Sequence, residues 1–567
     1  MKKLSFYILT ILSCTSFSQS LQWAKSIGGY FDDGPSSMSV DHQGNVYTTG
    51  GFNTWVDFDP GIGTYTLNAN GGGATPDIFI SKLDANGHFK WAKCIGSTGA
   101  DVGIGTTVDK DGNLYTTGIF SGTVDFDPGT NVYNLTATGT QDIYINKFDS
   151  TGNFLWAKRV GGTSSGNHYI YSSSMTCDAN GNVYTTGYFM GWADFNVGTG
   201  TDILSSSGSY DLFVLKLDTD GNYGWAKKAG GPGDDQASCI SLGKSGCIYL
   251  SGNFDGTSDF DTGPGIYNLS STSSFSDIFT LKLDNTGNFI WAKGIGNSGY
   301  DHSNSIAVDA SENVYTTGYF TGTVDFDPGA ANYNLLTNTY GDVFISKLDS
   351  SGNFIWARQM GGSNVDTGSS IKLDSLANVY VTGYYSGNGQ YLQGAITYTM
   401  ANAGGADSYI LKLDSSGNYL YSQSFGGTQD DFGRTIAIDD NQNVHICGNY
   451  NATADFDPGT SVFNLTSNGD LDIFILKFGT PVTGINDKMS ALVVNLYPNP
   501  NSGDFKIEAR EIMKLELVDN LGQIIQSIEL NRENNFHQSI HVLHSGIYFI
   551  SGQSSKGSIN HKIIVTR

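Results

Sequence analysis

The sequence predicts an all-β chain: a seven-bladed β-propeller followed by a small C-terminal β-sandwich. Three observations predict it. The composition is that of strands and turns, one unit of about 66 residues recurs seven times, and the last stretch breaks that period. Of 567 residues 74 are Gly, roughly twice ordinary usage. The acid is Asp: only six Glu occur, and Glu312 is the single one between residues 21 and 480. Asp builds turns by accepting hydrogen bonds from nearby backbone N–H groups, whereas Glu favours helices. With abundant Tyr, Phe, Val and Ile, the chain reads as short strands joined by tight turns.

The same composition excludes whole classes. A net charge of −24 leaves no basic footprint for a nucleic acid. Charged residues at 15% argue against a coiled coil, and 39% hydrophobic residues bury a core rather than leave the chain disordered.

The N-terminus reads as an export signal. Met1-Lys2-Lys3 is basic, Leu4 to Leu12 is a mostly apolar run, and Ser16-Phe17-Ser18 puts small residues before a cleavage site at Gln19. A signal peptide over residues 1–18 follows. The run falls short of the roughly 20 residues a spanning helix needs, and no other stretch is long enough, so no transmembrane segment is expected. Ile11-Leu12-Ser13-Cys14 offers a rival reading as a lipoprotein box that lipidates Cys14, although Leu at its second position fits poorly. The other cysteines, Cys94, Cys177, Cys239, Cys247 and Cys447, are odd in number and hold no C-x-x-C pair. Neither a disulfide framework nor structural zinc is expected. Cys239 and Cys247 fall on neighbouring strands and read either as a disulfide or as two small buried side chains.

Residues 19–478 carry three anchors at one period. Trp-Ala-Lys, or a variant, begins at Trp23, Trp91, Trp156, Trp225, Trp291 and Trp356, with Tyr421 in the seventh place. Asp followed one residue on by an aromatic recurs at Asp77, Asp142, Asp211, Asp277, Asp342, Asp407 and Asp472. Tyr-Thr-Thr-Gly or a variant ends at Gly50, Gly118, Gly187, Gly252, Gly318, Gly383 and Gly448. The fifth unit shows the parts: strands at 305–309, 313–320, 342–348 and 354–359, with tight turns between the first two and the last two. Four antiparallel strands per unit and seven units match a propeller, and a single unit cannot bury both its faces, so the units stack radially. Closure is legible too. Leu21 to Lys25 is a fourth strand with no third before it, and Asp472 to Phe478 is a third strand with no fourth after it. Together they complete one blade and remove the exposed edges.

These units resemble the SBBP type of β-propeller repeat found in exported bacterial proteins, over about residues 21–478. The carriers are the Ile-Ala-Val-Asp and Asn-Val-Tyr-Thr-Thr-Gly strands, the Asp-Ile-Phe-Ile-x-Lys-Leu-Asp strand and the Gly-Asn-Phe-x-Trp-Ala-Lys strand. The resemblance implies the fold and no single activity.

Residues 479–490 (GTPVTGINDKMS) read as a linker. In residues 491–567 Glu appears, Gly thins and short alternating runs such as Phe505-Lys506-Ile507-Glu508 suggest a sandwich of about seven strands. This stretch resembles the type A C-terminal sorting domain of type IX secretion. The match rests on Leu496-Tyr497-Pro498-Asn499-Pro500-Asn501-Ser502-Gly503, Leu517-Val518-Asp519-Asn520-Leu521-Gly522, Ser545-Gly546-Ile547-Tyr548-Phe549-Ile550 and Lys562-Ile563-Ile564-Val565. The resemblance implies that the type IX machinery reads residues 491–567. It also implies passage through the periplasm, removal of the tail, and release or attachment at the outer cell surface.

The two short turns of each unit leave the long connections to share the opposite face of the disc, which is the candidate binding surface. Ten residues after the Trp or Tyr anchor stand Asp33, Asp101, Asp235, Asp301, Asp366 and Asp431, with Gly166 in unit three. This ring reads either as ligands for a hard cation such as Ca²⁺ or as turn-capping carboxylates of the blade itself. Asp-Phe-Asp-Pro-Gly, at Asp57/Asp59, Asp125/Asp127, Asp325/Asp327 and Asp455/Asp457, carries two carboxylates and a good turn former. Unit three departs most, with a longer segment from Gly162 that replaces the Asp by His168, Tyr169 and Tyr171, a candidate ligand site.

No catalytic motif appears, and the five propeller His are scattered along the repeats. The reading the sequence supports best is a monomeric exported propeller that binds a glycan, matrix or surface protein, without established catalysis. Two alternatives stand beside it. One is a Ca²⁺-dependent hydrolase or lyase acting on polysaccharide or phosphate esters at the channel face; the other is a purely structural surface component.

Overall fold

The computed structural model describes residues 19–479 except 74, 163–167, 274, 338–339, 363 and 394–395. Beyond them it describes 494–497, 504–509, 513–519, 523–531, 534, 536–541, 544–554 and 557–565. The signal segment 1–18 with Cys14, and all of the 479–490 linker but Gly479, lie outside the described residues. The chain divides into two compact units, Met1–Thr480 and Pro481–Arg567. Among the described residues every regular element is a strand, and no helix is long and apolar enough to cross a membrane.

The first unit is built from one pattern. Gly34–Val40, Val46–Phe52, Asp77–Leu83 and Phe89–Ile95 lie side by side in that order, each antiparallel to the next. The same order recurs in six more sheets among the described residues. The innermost strand of each packs against that of the next, and Phe432–Ile438 packs back on Gly34–Val40, so the strands ring an axis. The last sheet takes its outermost strand from the other end of the chain: Ser20–Ile27 pairs with Asp472–Gly479. Middle strands such as Asp77–Leu83 are buried along their whole length because both faces meet neighbouring sheets, whereas the outermost strands alternate.

The repeated residues are the docking surface between sheets. The Lys82 ammonium lies 4.6 Å from the centre of the Tyr47 ring and donates to the Ser150 carbonyl in the next sheet's turn at 2.8 Å. Trp23 Nε1 donates to the Ala85 carbonyl, Trp156 Nε1 to Thr219 and Trp291 Nε1 to Ser350, each again a turn of the next sheet. The turn glycine completes the fit: Gly417, at φ +76°, rests on the Trp356 indole, 2.9 Å from where its Cβ would stand. Between the second and third strands sits a small hairpin that the sequence reading treats only as a connection, for example Trp55–Asp57 with Thr66–Asn68. Its Asp-Phe-Asp motif has a structural explanation. Asp57 Oδ1 accepts from the Asp59 and Tyr65 amides at 3.1 and 2.8 Å, Asp59 Oδ1 accepts from Gly61, and Phe58 is fully buried against Phe52 and Phe79. The hairpin also ties neighbours together. Gly28 bridges to Asp57, and in the fifth and sixth sheets the following hairpin joins outright, making six strands.

The described cysteines, Cys94, Cys177, Cys239, Cys247 and Cys447, are free thiols, and Cys239 lies opposite Ser251 rather than Cys247. The second unit, described by itself, has a three-stranded and a four-stranded sheet. Phe505, Ile507, Leu515, Leu517, Ile528 and Ile550, drawn from both sheets, bury one apolar core.

Candidate functional site

The six ring Asp sit at the start of the innermost strands, and all six carboxylates are completely buried. Each one caps its own blade. Asp33 accepts from the Gly29 and Asn53 amides at 2.7 and 3.0 Å, Asp301 from Asn297 and Thr321 at 3.0 Å each, and Asp366 from Gly362 and Ser386 at 2.7 and 3.0 Å. Asp101 takes the Ser97 and Ser121 amides, Asp235 the Gly231 amide and the Ser258 hydroxyl, and Asp431 the Gly427 amide. The structure does not bring the six together. Among the described residues no three His, Cys, Asp or Glu side chains gather as metal ligands.

Each ring carboxylate instead faces one other, the Asp that begins the third strand of the preceding blade: Asp472 for Asp33, Asp77 for Asp101, Asp211 for Asp235, and so on round. Burial first, then this like charge, pushes the Asp33, Asp235, Asp301, Asp366 and Asp431 carboxyls up to about 7 and Asp101 to about 6. A glycine makes room for each pair. A Cβ on Gly426 stands 2.6 Å from Asp407 Oδ1 and 2.8 Å from Asp431 Oδ2. Gly426→Ala is therefore expected to cost about 1–3 kcal/mol of overpacking, read as a lower denaturant midpoint with an unchanged slope.

Blade three replaces one member of the pair. Ile170 takes the ladder place of the Asp, opposite Phe189 as Asp235 is opposite Phe254. His168 turns inward: its Nε2 is 3.6 Å from Asp142 Oδ1, and Arg159 donates to the other oxygen of that carboxylate. The imidazole is 1% exposed and fills the space left by Gly139 and Gly162, 5.8 Å from the Trp192 ring. Tyr169 and Tyr171 turn outward. They meet two residues that sequence reasoning missed, Tyr188 and Tyr210. Tyr171 stacks on Tyr188 at 5.2 Å and 21°, and Tyr210 stands edge-on to Tyr188 at 5.2 Å and to Tyr169 at 5.6 Å. All four rings are half-buried. Burial and the surrounding phenols push the Tyr188 hydroxyl well above its ordinary value, so it stays a neutral donor. The signal that finds Tyr188 is cross-strand register. Its place is Gly51, Ile119, Asn253, Tyr319, Tyr384 and Asn449 in the other sheets.

That register position lies near the long-connection end of each second strand, and the residues that fill it have no seven-fold symmetry. His302 stacks on Tyr319 at 5.1 Å and 16°, and Tyr384 meets Phe432 at 4.9 Å. The first sheet places no side chain there, only Gly34 opposite Gly51. The notch so left is a cavity of about 450 Å³ lined by those glycines with Pro35, Ser36, Pro76, Val102, Arg434 and Asn449. A cavity lined by both polar and apolar groups can hold an amphipathic ligand.

Comparison with known proteins bears on the two units separately. Residues 495–566 match the family described as Secretion system C-terminal sorting domain, and residues 355–389 match the family described as Beta-propeller repeat, the SBBP type. The chain thus carries an SBBP-type propeller repeat in its first unit and a secretion sorting domain in its second. That domain marks it for export, to the cell surface or into the medium, and implies an encounter with the type IX machinery. Among curated proteins, an uncharacterized WD repeat-containing protein of Acanthamoeba polyphaga mimivirus is 25% identical over 521 residues, covering 77% of this chain and 36% of the relative. The regulatory protein FlaEY of Caulobacter vibrioides is 24% identical over 341 residues, covering 57% of this chain and 34% of the relative. The SBBP-repeat chain thus spans about a third of the length of the curated relatives it matches. Among solved structures, a protein of unknown function from Bacteroides caccae overlays at a TM-score of 0.29 with 8% identity, covering 61% of this chain and 89% of that one. PorZ, an essential surface component of the type IX secretion system of Porphyromonas gingivalis, overlays at 0.19 with 12% identity, covering 96% and 100%. The assignment rests on the two family matches.

Proposed function

We propose that this exported propeller is a binding module whose ligand, a surface or matrix glycan, is held at the long-connection rim of the channel by Tyr169, Tyr171, Tyr188 and Tyr210, with His168 setting the shape of the segment beneath them. One observation carries the reading. The repeated polar residues are spent on joining one sheet to the next, and the four-tyrosine cluster lies where the repeat is broken, so blade packing does not require it. Half-exposed tyrosines supply broad contact area at small entropic cost and keep hydroxyls free for sugar hydroxyls. The sorting domain agrees with a site of action outside the cell.

The purified protein on a glycan array tests this. Tyr188→Ala and Tyr169→Ala are each expected to weaken binding to a retained glycan at least about tenfold, with little change in melting temperature. Arrays that stay blank, or binding that ignores both variants, overturn the reading.

A further inference from the structure

The innermost strands enclose a central cavity of about 240 Å³. Its wall is mostly hydroxyl, contributed by every sheet: Ser37, Thr106, Ser174, Ser241, Ser305, Ser370 and Thr435 are examples. A chain with a net charge of −24 places no carboxylate on this wall among the described residues, but it does place two cations there, Arg434 and Lys372.

Both break the repeat. Every innermost strand carries one extra residue in its ladder, where the register slips, for instance between Pro35 and Ser37 and between Gly433 and Thr435. Such a bulge re-aims one side chain, here onto the axis. The extra residue is Ser36, Ile104, Ser173, Ser238, Asn304 or Ser369 in six sheets and Arg434 in the seventh, and all seven line the cavity. Lys372 lies opposite Tyr380, at a position held elsewhere by Ser39, Thr107, Thr176, Ser241, Ala307 and Ala437. At each of the two places six of seven sheets therefore do without a charge, and neither cation is a requirement of the wheel.

Among the described residues no carboxylate pairs with either cation. Arg434 Nε donates to Asn449 Oδ1 at 3.2 Å, and its guanidinium lies 4.9 Å from the Phe432 ring centre. Enclosure pushes the basicity of both groups down, and the titratable neighbours acting on them are Tyr384 for Arg434 and Cys239 for Lys372. Both side chains are nevertheless open to the water of the cavity. Two cations partly stripped of solvent, facing rotatable hydroxyl donors, make a complement for oxygen-borne negative charge.

We propose that the axial cavity is an oxyanion site, with Arg434 and Lys372 as the charged ligands and the serine and threonine hydroxyls completing the shell. The group it takes is a phosphate or sulfate, either as the free ion or as an ester on a larger ligand. This goes beyond the glycan reading and does not depend on it, since the tyrosine cluster and the cavity share no residue.

The test is titration calorimetry and thermal melting of the purified full chain with inorganic phosphate and with sulfate, against chloride at matched ionic strength. Saturable binding at one site and a rise in melting temperature are expected. Arg434→Ser and Lys372→Ser, each installing a residue that other sheets carry at that place, are expected to keep the fold, checked by melting without phosphate. Each variant should weaken phosphate binding at least about tenfold, the 1.4 kcal/mol scale of one charge-assisted hydrogen bond, and the pair should abolish it. A sulfated oligosaccharide that competes with phosphate identifies the ester as the source, and one that does not compete identifies the free ion; both outcomes uphold the site. Absence of saturable phosphate or sulfate binding, or binding that survives the double substitution, overturns the proposal. Tyr169→Ala and Tyr188→Ala should leave phosphate binding intact, so failure of the rim and failure of the cavity are read separately.

Discussion

Lowering the pH from about 8 to about 5 is expected to make this propeller more resistant to heat. The cause is the circle of buried carboxylate pairs. Burial holds Asp33, Asp235, Asp301, Asp366 and Asp431 up at about 7, and Asp101, Asp277, Asp342, Asp407 and Asp472 up at about 6, from an ordinary value of 3.8. Between those values the folded chain keeps protons that the unfolded chain gives up. The stabilisation is therefore complete below about pH 4 and is lost as the pH rises through 6 and 7. His302 and His445, kept neutral by burial, act in the opposite sense below their ordinary value of 6.5, but they are two groups against ten. The net gain should reach at least about 3 kcal/mol, the worth of two units on a single carboxyl. Melting followed by circular dichroism in matched buffers checks it; a flat profile, or one that falls with acid, overturns it. Asp431→Asn should flatten the slope in proportion to one carboxyl.

Glu312→Gln is expected to destabilise the propeller by about 2 kcal/mol. The turn between the first two strands is ordinarily capped by an Asp. Asp41 Oδ1 accepts from the Gln43 and Asn45 amides, and its Oδ2 accepts from the Tyr47 hydroxyl at 3.1 Å. The fourth sheet has Gly243 at that place. Glu312 reaches across from the fifth sheet to replace it, accepting from the Ser245 amide at 2.9 Å, the Tyr249 hydroxyl at 3.0 Å and the Lys282 ammonium at 3.1 Å. Burial opposes the charge, but these donors outweigh it and hold the carboxyl down at about 2. This contribution is present above the ordinary value of 4.5 and is lost as the pH falls toward 2, outside the window of the Asp pairs. Glu312 also holds φ +62°, where the first sheet has Gly44. Gly243→Asp combined with Glu312→Gly rebuilds the arrangement of the first sheet and should return stability to within about 1 kcal/mol of the parent. Chemical denaturation of the parent and the two variants settles it; a double variant no better than Glu312→Gln removes the account.

The lone Glu shows what sequence reasoning could reach. Its rarity is visible by counting, but its partner across a sheet boundary is not, because nothing local ties Glu312 to Gly243. The strand phase was legible because three anchors share one period and each strand is about seven residues long, enough to show alternation. The short hairpins were hidden, since three-residue strands such as Thr66–Asn68 carry no periodicity. At the candidate site Tyr169 and Tyr171 stood out by breaking the repeat, while Tyr188 lies in a strand that otherwise keeps it and Tyr210 directly before another. Arg434 was obscured by the bulge, which reverses the inward and outward sense of alternation that a reader of sequence relies on.

The pairing of Ser20–Ile27 with Asp472–Gly479 bears on how the molecule can be assembled. Its contacts join residues more than 400 positions apart, such as Gln19 to Gln442, so the seam costs more chain entropy to close than the contacts within any one sheet. A polypeptide synthesised or delivered from its first residue must keep that opening strand single until position 479 arrives. The circle is thus an all-or-none object, and a fragment clipped at either end is left with a raw hydrogen-bonding margin along Asp472–Gly479 or Ser20–Ile27, ready to be zipped by a stray chain.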